Sequence, residues 1–377
     1  MFSNNHYRNT TQICDVCGEQ KQISQILSIC NSCLRNNSKA TEEYIFKAHK
    51  KAREKQNLPP LPPSNLSSIC NLCNHKCGLD KNGISYCGLK YNKEGKVISL
   101  TNSNIGILDY YLDPLPCNCC AAWFCPAGTG SGFPEFAMRE GKEYGFYNLS
   151  IFFYGCSFDC LYCQNQHHKN IRLGPKENLN KLLDTFRTNK KITCICFFGG
   201  SPEPHFPFAL NLSKKVLQVS KEEKRIVRIC WEWNGFGNQR YISKAAEFSL
   251  ISGGNIKFDL KAWNPQIHKA LTGVTNEKVL ENFKFVAKNF FEQRPELPVL
   301  NATTLLVPGY IDEEEVENIA SFIADLNENI PYSLLAFYPQ HMFKDLPVTS
   351  RELAESCENV AKKHLKMVNI GNKHLLI

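Results

Sequence analysis

The chain has 377 residues, an apolar fraction of 43% and a formal net charge of +8, values that fit a globular protein with a sizeable core. The charge is too small to indicate nucleic-acid binding by itself, and no apolar run is long enough to span a membrane. The polar stretch Met1–Thr10 lacks the apolar segment of a signal peptide, so we expect a cytoplasmic protein.

The 19 cysteines are the most informative part of the composition, because most of them fall in short-spaced clusters. A secreted disulfide protein is one explanation, but such proteins are small and disulfide-dense. Clustered Cys-x-x-Cys pairs in a long chain favour metal sites in a reducing compartment instead.

The first predicted module covers residues 1–40 and contains Cys14, Cys17, Cys30 and Cys33. This spacing is typical of a zinc ribbon, in which four thiolates close a structural zinc site. Zinc is the expected metal, with rubredoxin-like iron or a cluster as the alternative. A ribbon of this kind could bind a protein or a nucleic acid, or could simply fold the end of the chain.

Residues 41–66 are predicted to form a helix followed by a stiff linker. The charged stretch Thr41–Gln56 is the helix, with Thr41 as its N-cap, and the proline-rich stretch Leu58–Pro63 is the linker. Since this linker would isolate the first module, we expect the module to be separable from the chemistry, so that a chain starting near Ser64 would still fold and bind the cluster.

Residues 67–145 are predicted to form a second, loop-like and cysteine-rich module, with too many glycines and prolines for long helices. Its first half could hold an auxiliary iron–sulfur or zinc site, with His75 as a substitute ligand; the cysteines are Cys70, Cys73, Cys77 and Cys87. Its second half carries four more, among which we favour Cys119 and Cys125 as ligands; the four are Cys117, Cys119, Cys120 and Cys125.

Residues 146–377 alternate short apolar runs with amphipathic segments. The predicted strands are Leu149–Tyr154, Ile192–Phe198, Ile226–Trp231, Ile256–Leu260, Leu300–Val307 and Ser333–Phe337. The predicted helices are Leu179–Thr188, Phe208–Val219, Gln239–Phe248, Lys278–Asn289, Glu313–Leu326 and Arg351–Leu365. Six such repeats predict a parallel sheet that is two units short of a closed barrel, that is, a partial (β/α)6 TIM-like barrel in an α/β protein.

Three cysteines follow the first of these strands directly: Cys156, Cys160 and Cys163. Three thiolates on one loop can hold three irons of a cubane cluster and leave the fourth iron open. The alternative is a zinc site completed by His167 or His168. The loop lies at the C-terminal end of a barrel strand, where active sites occur, and this position favours the cluster.

With Tyr162 before its last cysteine, this loop resembles the signature of the radical S-adenosylmethionine (SAM) superfamily. The resemblance implies a [4Fe–4S] cluster that reductively cleaves SAM to a 5′-deoxyadenosyl radical, which abstracts hydrogen from a substrate. It also places Tyr162 near the adenine of SAM and makes the three cysteines the catalytic residues.

The glycine-rich segment that ends the second predicted strand looks like the superfamily's GGEP segment, which binds the amino group of SAM. The matching residues are Gly199, Gly200, Ser201 and Glu203, with Ser201 in place of the first acidic residue. Glycines allow the backbone to approach a ligand closely, which agrees with this role.

A finer resemblance connects Asp259, Lys261 and Leu271–Asn276 to the glycyl-radical-enzyme activases, such as the pyruvate formate-lyase activating enzyme. Asn234 extends it. The resemblance implies that Glu232 and Asp259 hold a cation beside SAM. A structural Lys–Asp pair is the alternative.

The cysteines from Cys70 to Cys87, a bridge with Asp113-Pro114 and the cluster loop together resemble the AmmeMemoRadiSam group. The remaining cysteines and histidines carry weaker signals. Cys194, Cys196 and Cys230 lie in predicted strands and are interpreted as core.

The prediction is therefore a radical SAM enzyme that takes electrons from a ferredoxin or flavodoxin and acts on a protein or peptide. One alternative is a glycyl-radical-enzyme activase. The other, from a different class, is a metal-stabilised module that binds protein or nucleic acid.

Overall fold

The computed structural model describes residues 11–64, 68–117 and 119–377. The interpretation of Met1–Thr10 and the predicted boundary between residues 66 and 67 lie outside these ranges. The strands are β1 (Gln12–Ile13), β2 (Gln20–Lys21), β3 (Lys90–Lys93), β4 (Lys96–Ser99), β5 (Ile105–Pro114), β6 (Tyr147–Phe153), β7 (Lys176–Asn178), β8 (Ile192–Gly199), β9 (Arg228–Trp233), β10 (Ile256–Asp259), β11 (Leu300–Leu306), β12 (Tyr332–Ala336) and β13 (Val368–Gly371). The helices are α1 (Asn31–Asn36), α2 (Ser38–Glu54), α3 (Pro126–Thr129), α4 (Leu179–Thr188), α5 (Phe206–Glu223), α6 (Gln239–Ser252), α7 (Pro265–Thr272), α8 (Glu277–Phe290), α9 (Glu313–Ala324) and α10 (Arg351–Lys362).

A single large sheet organises the chain, with the strand order β13-β12-β11-β10-β9-β8-β6-β5-β7. The six predicted barrel strands are β6, β8, β9, β10, β11 and β12. They lie side by side in chain order, and each pairs in parallel with the next. The predicted α/β class and the central parallel sheet are confirmed.

The two edges of this sheet contain strands that the sequence patterns did not reveal. At one edge, β13 pairs in parallel with β12 through only four residues, too few for a clear apolar period. At the other, β5 pairs antiparallel along the whole of β6, although the surrounding module was expected to be loop-like. The C-terminal half of β5 is largely exposed, so this part of the sequence lacks the apolar pattern that would predict a strand.

Local sequence explains where several helices of this domain begin. A short polar side chain immediately before the helix accepts a hydrogen bond from a backbone N–H of its first turn. These caps are Asn178, Asn238, Asn264, Asp312 and Ser350. The alternation of apolar strands and capped amphipathic helices therefore sets the order of the repeats.

The sheet is curved around an internal cavity, which Gly199 of β8 and Leu335 of β12 both line. On a flat sheet these strands would lie about 19 Å apart, four spacings of about 4.8 Å. The terminal strands β7 and β13 do not pair with each other, so within the described ranges the sheet stays open. This is the geometry of a partial barrel.

The cysteine module at the N-terminal end packs against the barrel. Arg35 pairs with Asp312 at 2.6 Å and with Glu315 at 3.1 Å. The backbones of the module and the barrel are also in close contact, because a Cβ added to Gly309 would lie 1.8 Å from the carbonyl oxygen of Gln22. The linker therefore does not isolate the module, because its apolar side chains join the same buried core as the barrel. That the module is separable from the chemistry stays a prediction.

The helix after this module begins earlier than predicted. Helix α2 starts at Ser38, and the side chain of Asn37 caps it by accepting from the N–H of Ala40. Thr41 lies within the first turn, and its hydroxyl donates to the carbonyl of Ser38 at 3.0 Å. Thr41 is thus buried inside the helix, and its assignment as the N-cap is wrong.

Candidate functional site

The three cysteines of the predicted cluster loop line the cavity at the C-terminal ends of the barrel strands, which has a volume of about 210 Å³. The loop leaves β6 through Gly155, whose φ of 85° is in the left-handed region that favours glycine. Cys156, Cys160 and Cys163 follow within one short turn, so a single loop presents all three sulfurs to the cavity.

The sulfur atoms lie among polar groups. The thiol of Cys156 donates to the carbonyl oxygen of Gly200 at 3.0 Å, and the amide of Asn234 donates to the same sulfur at 3.2 Å. The Sγ of Cys163 lies 3.5 Å from Nε2 of His168. Burial raises the pKa of Cys160 to about 11, so metal binding must displace protons from these thiols.

The backbone of the cluster loop rests on the end of α7. The N–H of Asp159 donates to the carbonyl of Thr272 at 2.8 Å, and the N–H of Leu161 donates to that of Leu271 at 3.0 Å. Helix α7 ends at Gly273, whose φ is 78°. The C-terminal end of α7 therefore fixes the cluster loop through two backbone hydrogen bonds.

A buried carboxylate, that of Asp159, stabilises the same loop through ion pairs. Asp159, between the first two cysteines, is fully buried and pairs with Lys169 and with Nδ1 of His49 at 2.9 Å. Arg53 lies 3.8 Å away. Burial opposes ionisation of Asp159, but the charge of Lys169 and the hydrogen bond from His49 outweigh it and keep its pKa well below the usual range.

Sequence reasoning missed His49, Arg53 and Lys169. His49 and Arg53 lie in α2, far from the loop in sequence, so only the fold brings them to it. The signal that could have found them is Asp159 itself, because a carboxylate within a loop predicted to be buried needs a cationic partner.

The predicted glycine segment forms a backbone surface at the side of the cavity. A Cβ on Gly200 would lie 2.3 Å from the carbonyl of Gly155, so only glycine fits there. Gly199 and Gly200 line the cavity, whereas Ser201 and Glu203 are buried behind it. Glu203 accepts from the N–H of Phe236 at 3.1 Å, and burial raises its pKa to about 7.

Strand β10, together with Lys261 in the loop that follows it, brings side chains of alternating charge to the cavity. Lys257, Asp259 and Lys261 are spaced two residues apart and all line it. Asp259 pairs with Lys261 at 2.8 Å and with Lys257 at 3.1 Å, and it accepts from Thr303 at 2.7 Å. Burial opposes its ionisation, but the two lysines outweigh that effect and hold its pKa low.

Glu232 does not line this cavity with Asp259. It borders a second cavity, where Cys119 lies 3.5 Å from its carboxylate. The ammonium of Lys257 lies 2.9 Å from Glu232 and 3.1 Å from Asp259, so the cation between the two carboxylates is Lys257. The cation site beside SAM stays a prediction, and any added cation would compete with this lysine.

The other predicted metal ligands fall into two classes according to the distances between their ligand atoms. Cys14 lies 3.8 Å from Cys33 and Cys17 lies 3.9 Å from Cys30. Among the described residues, groups that bring three or more ligand atoms within 4.8 Å of one another are Cys14, Cys17, Cys30 and Cys33, and also Cys119, Cys120 and Glu232.

The remaining upstream cysteines do not show single-ion spacing. Six cysteines upstream of the cluster loop belong to neither group: Cys70, Cys73, Cys77, Cys87, Cys117 and Cys125. His75 contacts the cluster loop, since its Nε2 lies 2.6 Å from the carbonyl of Ser157. His205 is buried against the carbonyl of Tyr154 at 2.7 Å. The metal roles of these cysteines stay predictions.

The cavity residues fit a cubane cluster with bound SAM. The sulfurs of Cys156, Cys160 and Cys163 do not form a group within 4.8 Å, as one ion would require, and three thiols leave one iron without a protein ligand. Nδ1 of His168 is buried at the cavity without a hydrogen-bond partner among the described residues. Tyr162 lines the same cavity and packs against Phe343.

Comparison with known proteins agrees with this geometry. Residues 150–323 match the family model described as the radical SAM superfamily. A protein of Methanocaldococcus jannaschii that carries the name putative glycyl-radical enzyme activating enzyme is 26% identical over 223 residues, 59% of this chain and 79% of that protein. The pyruvate formate-lyase 1-activating enzyme of Escherichia coli is 25% identical over 193 residues, 50% of this chain and 72% of the relative.

A solved domain of a pyruvate-formate lyase-activating enzyme from Bacteroides vulgatus covers 47% of this chain and 98% of its own length, with 21% identity and a TM-score of 0.38. Within the described residues, no helix combines the length and apolar character that crossing a membrane requires.

Proposed function

We propose, from the premise that this chain is a radical SAM enzyme, that it abstracts hydrogen from a protein partner in the manner of an activating enzyme. The observation that carries the proposal is that three groups of residues line the same cavity. These are the three-thiol loop, the Gly199–Gly200 backbone and the Asp259–Lys261 pair. Two of the relatives that match about half or more of this chain are named as activating enzymes.

Each part of the cavity has a role in this proposal. Cys156, Cys160 and Cys163 would hold a [4Fe–4S] cluster, which when bound supplies the electron for reductive cleavage of SAM. Gly199 and Gly200 line the cavity, and without side chains their backbone can approach the amino group of SAM closely. Lys261 offers a positive charge for its carboxylate, and the Asp259 carboxylate holds that lysine in place.

The open sheet favours a macromolecular substrate. Because β7 and β13 do not close the barrel within the described ranges, the cavity is bounded by an incomplete wall. A polypeptide segment needs such an opening to reach a cofactor at the strand ends. Ferredoxin or flavodoxin remains the expected electron donor.

Deuterium transfer tests the substrate class. The anaerobically reconstituted enzyme would be reduced with SAM and mixed with cell protein labelled with deuterium only at glycine Cα. We expect label in the recovered 5′-deoxyadenosine, because an activating enzyme of this kind abstracts hydrogen from a glycine. Protein labelled only at alanine Cα is the matched control and should transfer none.

A metabolite extract from labelled cells is the third arm of the experiment. Label that arrives only from this fraction would refute a protein substrate. The enzyme with Cys156, Cys160 and Cys163 all replaced by Ala should transfer no label from any fraction.

We also propose that Cys14, Cys17, Cys30 and Cys33 bind one zinc ion. Four thiolates at a Zn–S distance of about 2.3 Å lie about 3.8 Å apart in a tetrahedron. The distances between the sulfurs of Cys14 and Cys33, 3.8 Å, and of Cys17 and Cys30, 3.9 Å, match this spacing. Elemental analysis of purified protein should find one zinc per chain at this site, and iron there would contradict the proposal.

A further inference from the structure

One edge of the large sheet is open along part of β5. Strand β7 pairs only with the first residues of β5, Ile105–Ile107. From Leu108 to Pro114, β5 pairs with β6 on one side, and no described strand pairs with it on the other. The side chains of Tyr111 and Leu112 are 50% and 39% exposed, so this stretch of the edge is open to solvent within the described ranges.

The hydrogen bonds at the two ends of this stretch show which backbone groups point to the open side. The N–H of Leu115 donates at 2.9 Å to the residue that precedes β6, whereas the N–H of Leu108 donates at 3.0 Å to the residue that precedes β7. Because these directions alternate along a strand, the N–H and C=O groups of Tyr110 and Leu112 point away from β6. Within the part of the chain that the structure describes, no strand takes up these groups.

The open stretch is short and has a defined limit at each end. Strand β7 occupies the edge as far as Ile107, and Pro114 limits the other end because proline has no N–H to donate. Proteins protect edge strands against pairing with prolines, charges or covering loops. Here tyrosine and leucine side chains lie between the two limits, so the edge offers room for a strand of a few residues.

The inner face of this stretch borders the second cavity, the one at Glu232, which has a volume of about 140 Å³. Tyr111 and Asp113 line this cavity from β5, and Asn148 of β6 lines it directly opposite Asp113. The amide oxygen of Asn148 is buried without a hydrogen-bond partner among the described residues. The cavity therefore offers acceptors to a donor that enters beside β5.

This second cavity adjoins the SAM pocket. Phe198 of β8 lines the second cavity, and the next residue, Gly199, lines the SAM pocket. Lys257 lines the SAM pocket and lies 2.9 Å from Glu232 of the second cavity. A segment held at the open edge of β5 thus lies at the side of the barrel from which the SAM pocket can be approached.

The charges along β5 disfavour a second copy of the chain as the occupant of this edge. Asp109, Tyr111 and Asp113 are spaced two residues apart and share one face. If β5 paired antiparallel with itself about Tyr111, Asp109 of each copy would lie opposite Asp113 of the other. Like charges directly opposite each other destabilise a strand pair. A strand with a basic side chain on that face would instead meet two carboxylates.

We propose that the open edge of β5 binds an extended segment of the protein substrate as an added strand, with a basic side chain of that segment between Asp109 and Asp113. This proposal rests on the function proposed above and adds how the substrate is held. In strand addition, main-chain hydrogen bonds supply affinity and alternate side chains supply specificity. The added strand would extend the wall that the partial barrel leaves incomplete.

Amide hydrogen exchange tests the site directly. Full-length enzyme would be mixed with a large molar excess of the acetylated and amidated peptide Thr-Val-Arg-Val-Thr, and exchange along β5 followed by mass spectrometry. We expect exchange at Tyr110 and Leu112 to slow at least about tenfold, because a hydrogen-bonded amide must be released before it exchanges. The same peptide with both valines N-methylated should protect neither amide, and a peptide with Glu in place of Arg should protect less.

A proline substitution separates the open side of β5 from its paired side. Leu112→Pro removes an N–H that points away from β6, so it breaks no bond between the two strands, and it should abolish the protection of Tyr110. Val368→Pro is the matched control, because it introduces proline in β13 at the opposite edge of the sheet and should leave the protection intact. Asp113→Lys is a second, independent variant, in which the Glu peptide should protect better than the Arg peptide.

Unchanged exchange of β5 in the presence of the Arg peptide, or equal protection of the wild type and Leu112→Pro, would overturn the proposed site. Protection that is present before peptide is added and disappears on dilution would overturn it in favour of a second copy. The experiment needs neither the cluster nor SAM, so its failure is distinct from that of deuterium transfer. Protection of an enzyme that takes no deuterium from protein would support the strand site and refute the proposed function.

Discussion

The N-terminal cysteine site and the cluster loop are both built from closely spaced thiols, but they are arranged for different chemistry. Cys14, Cys17, Cys30 and Cys33 come from two separate segments and meet at 3.8 to 3.9 Å, so they surround a single point. Cys156, Cys160 and Cys163 come from one loop, are more widely spaced and face a cavity. Under the functions proposed above, thiol number and spacing would separate a closed structural site from an open reactive one.

The surroundings of the two sites differ as well. The cluster loop encloses Asp159, which is tied to Lys169 and His49, and it faces the charges of Lys257 and Lys261. The N-terminal site is instead attached to the barrel through Arg35 and its carboxylate partners. One site is surrounded by charges that can act on a ligand, and the other uses charge to fasten a module.

The largest effect is expected at the open site. Replacing Cys156, Cys160 and Cys163 together by Ala should abolish formation of 5′-deoxyadenosine from SAM under reducing conditions, because no thiolates remain to hold the cluster. Chromatography of the products would measure this. Cleavage at the wild-type rate would show that the loop is not the reactive site.

The next largest effect concerns the charge inside the loop. Asp159→Asn keeps the shape of the side chain but leaves Lys169 without its partner, and breaking a buried pair costs about 3–5 kcal/mol of stability. Anaerobic urea unfolding should show this loss together with a lower iron content. Glu43→Gln, at an exposed ion pair with Lys47, should leave both unchanged, and equal effects of the two variants would refute the role of Asp159.

A smaller effect depends on pH. Burial raises the folded-state pKa of Glu203 from 4.5 to about 7, so the folded chain binds more protons and its stability should fall as pH rises between these values. This shift corresponds to about 3 kcal/mol. Glu203→Gln should lose that slope, which urea unfolding at pH 5 and pH 8 would measure. Parallel stability curves for variant and wild type would contradict the assignment.

The smallest effect on SAM cleavage is expected at the closed site. Cys17→Ser should remove about one metal ion per chain and lower the melting temperature, while cleavage continues because the barrel loop keeps its thiols. Elemental analysis and a thermal scan would follow both. An unchanged metal content would show that the four cysteines do not form one site.

The repeats of the barrel were accessible from sequence, because an apolar run followed by a capped amphipathic helix is a local pattern. Strand β5 was not accessible from sequence, because its C-terminal half is exposed. Its partner β6 also follows only after the long cysteine-containing segment that separates the two strands. The start of α2 was misplaced because Asn37 and Thr41 are both acceptable caps, and only packing selects between them.

The sequence alone determined the thiol loop, the glycine segment and the class of chemistry, because ligand type and spacing are written in consecutive residues. Only the tertiary structure decided where the charges go. It moved Glu232 from the expected cation site to the cysteine-lined cavity, and it placed Lys257 between Glu232 and Asp259. It also brought His49 to Asp159 across 110 positions of the chain. Such contacts depend on how strands and helices pack in space, and no local pattern carries that information.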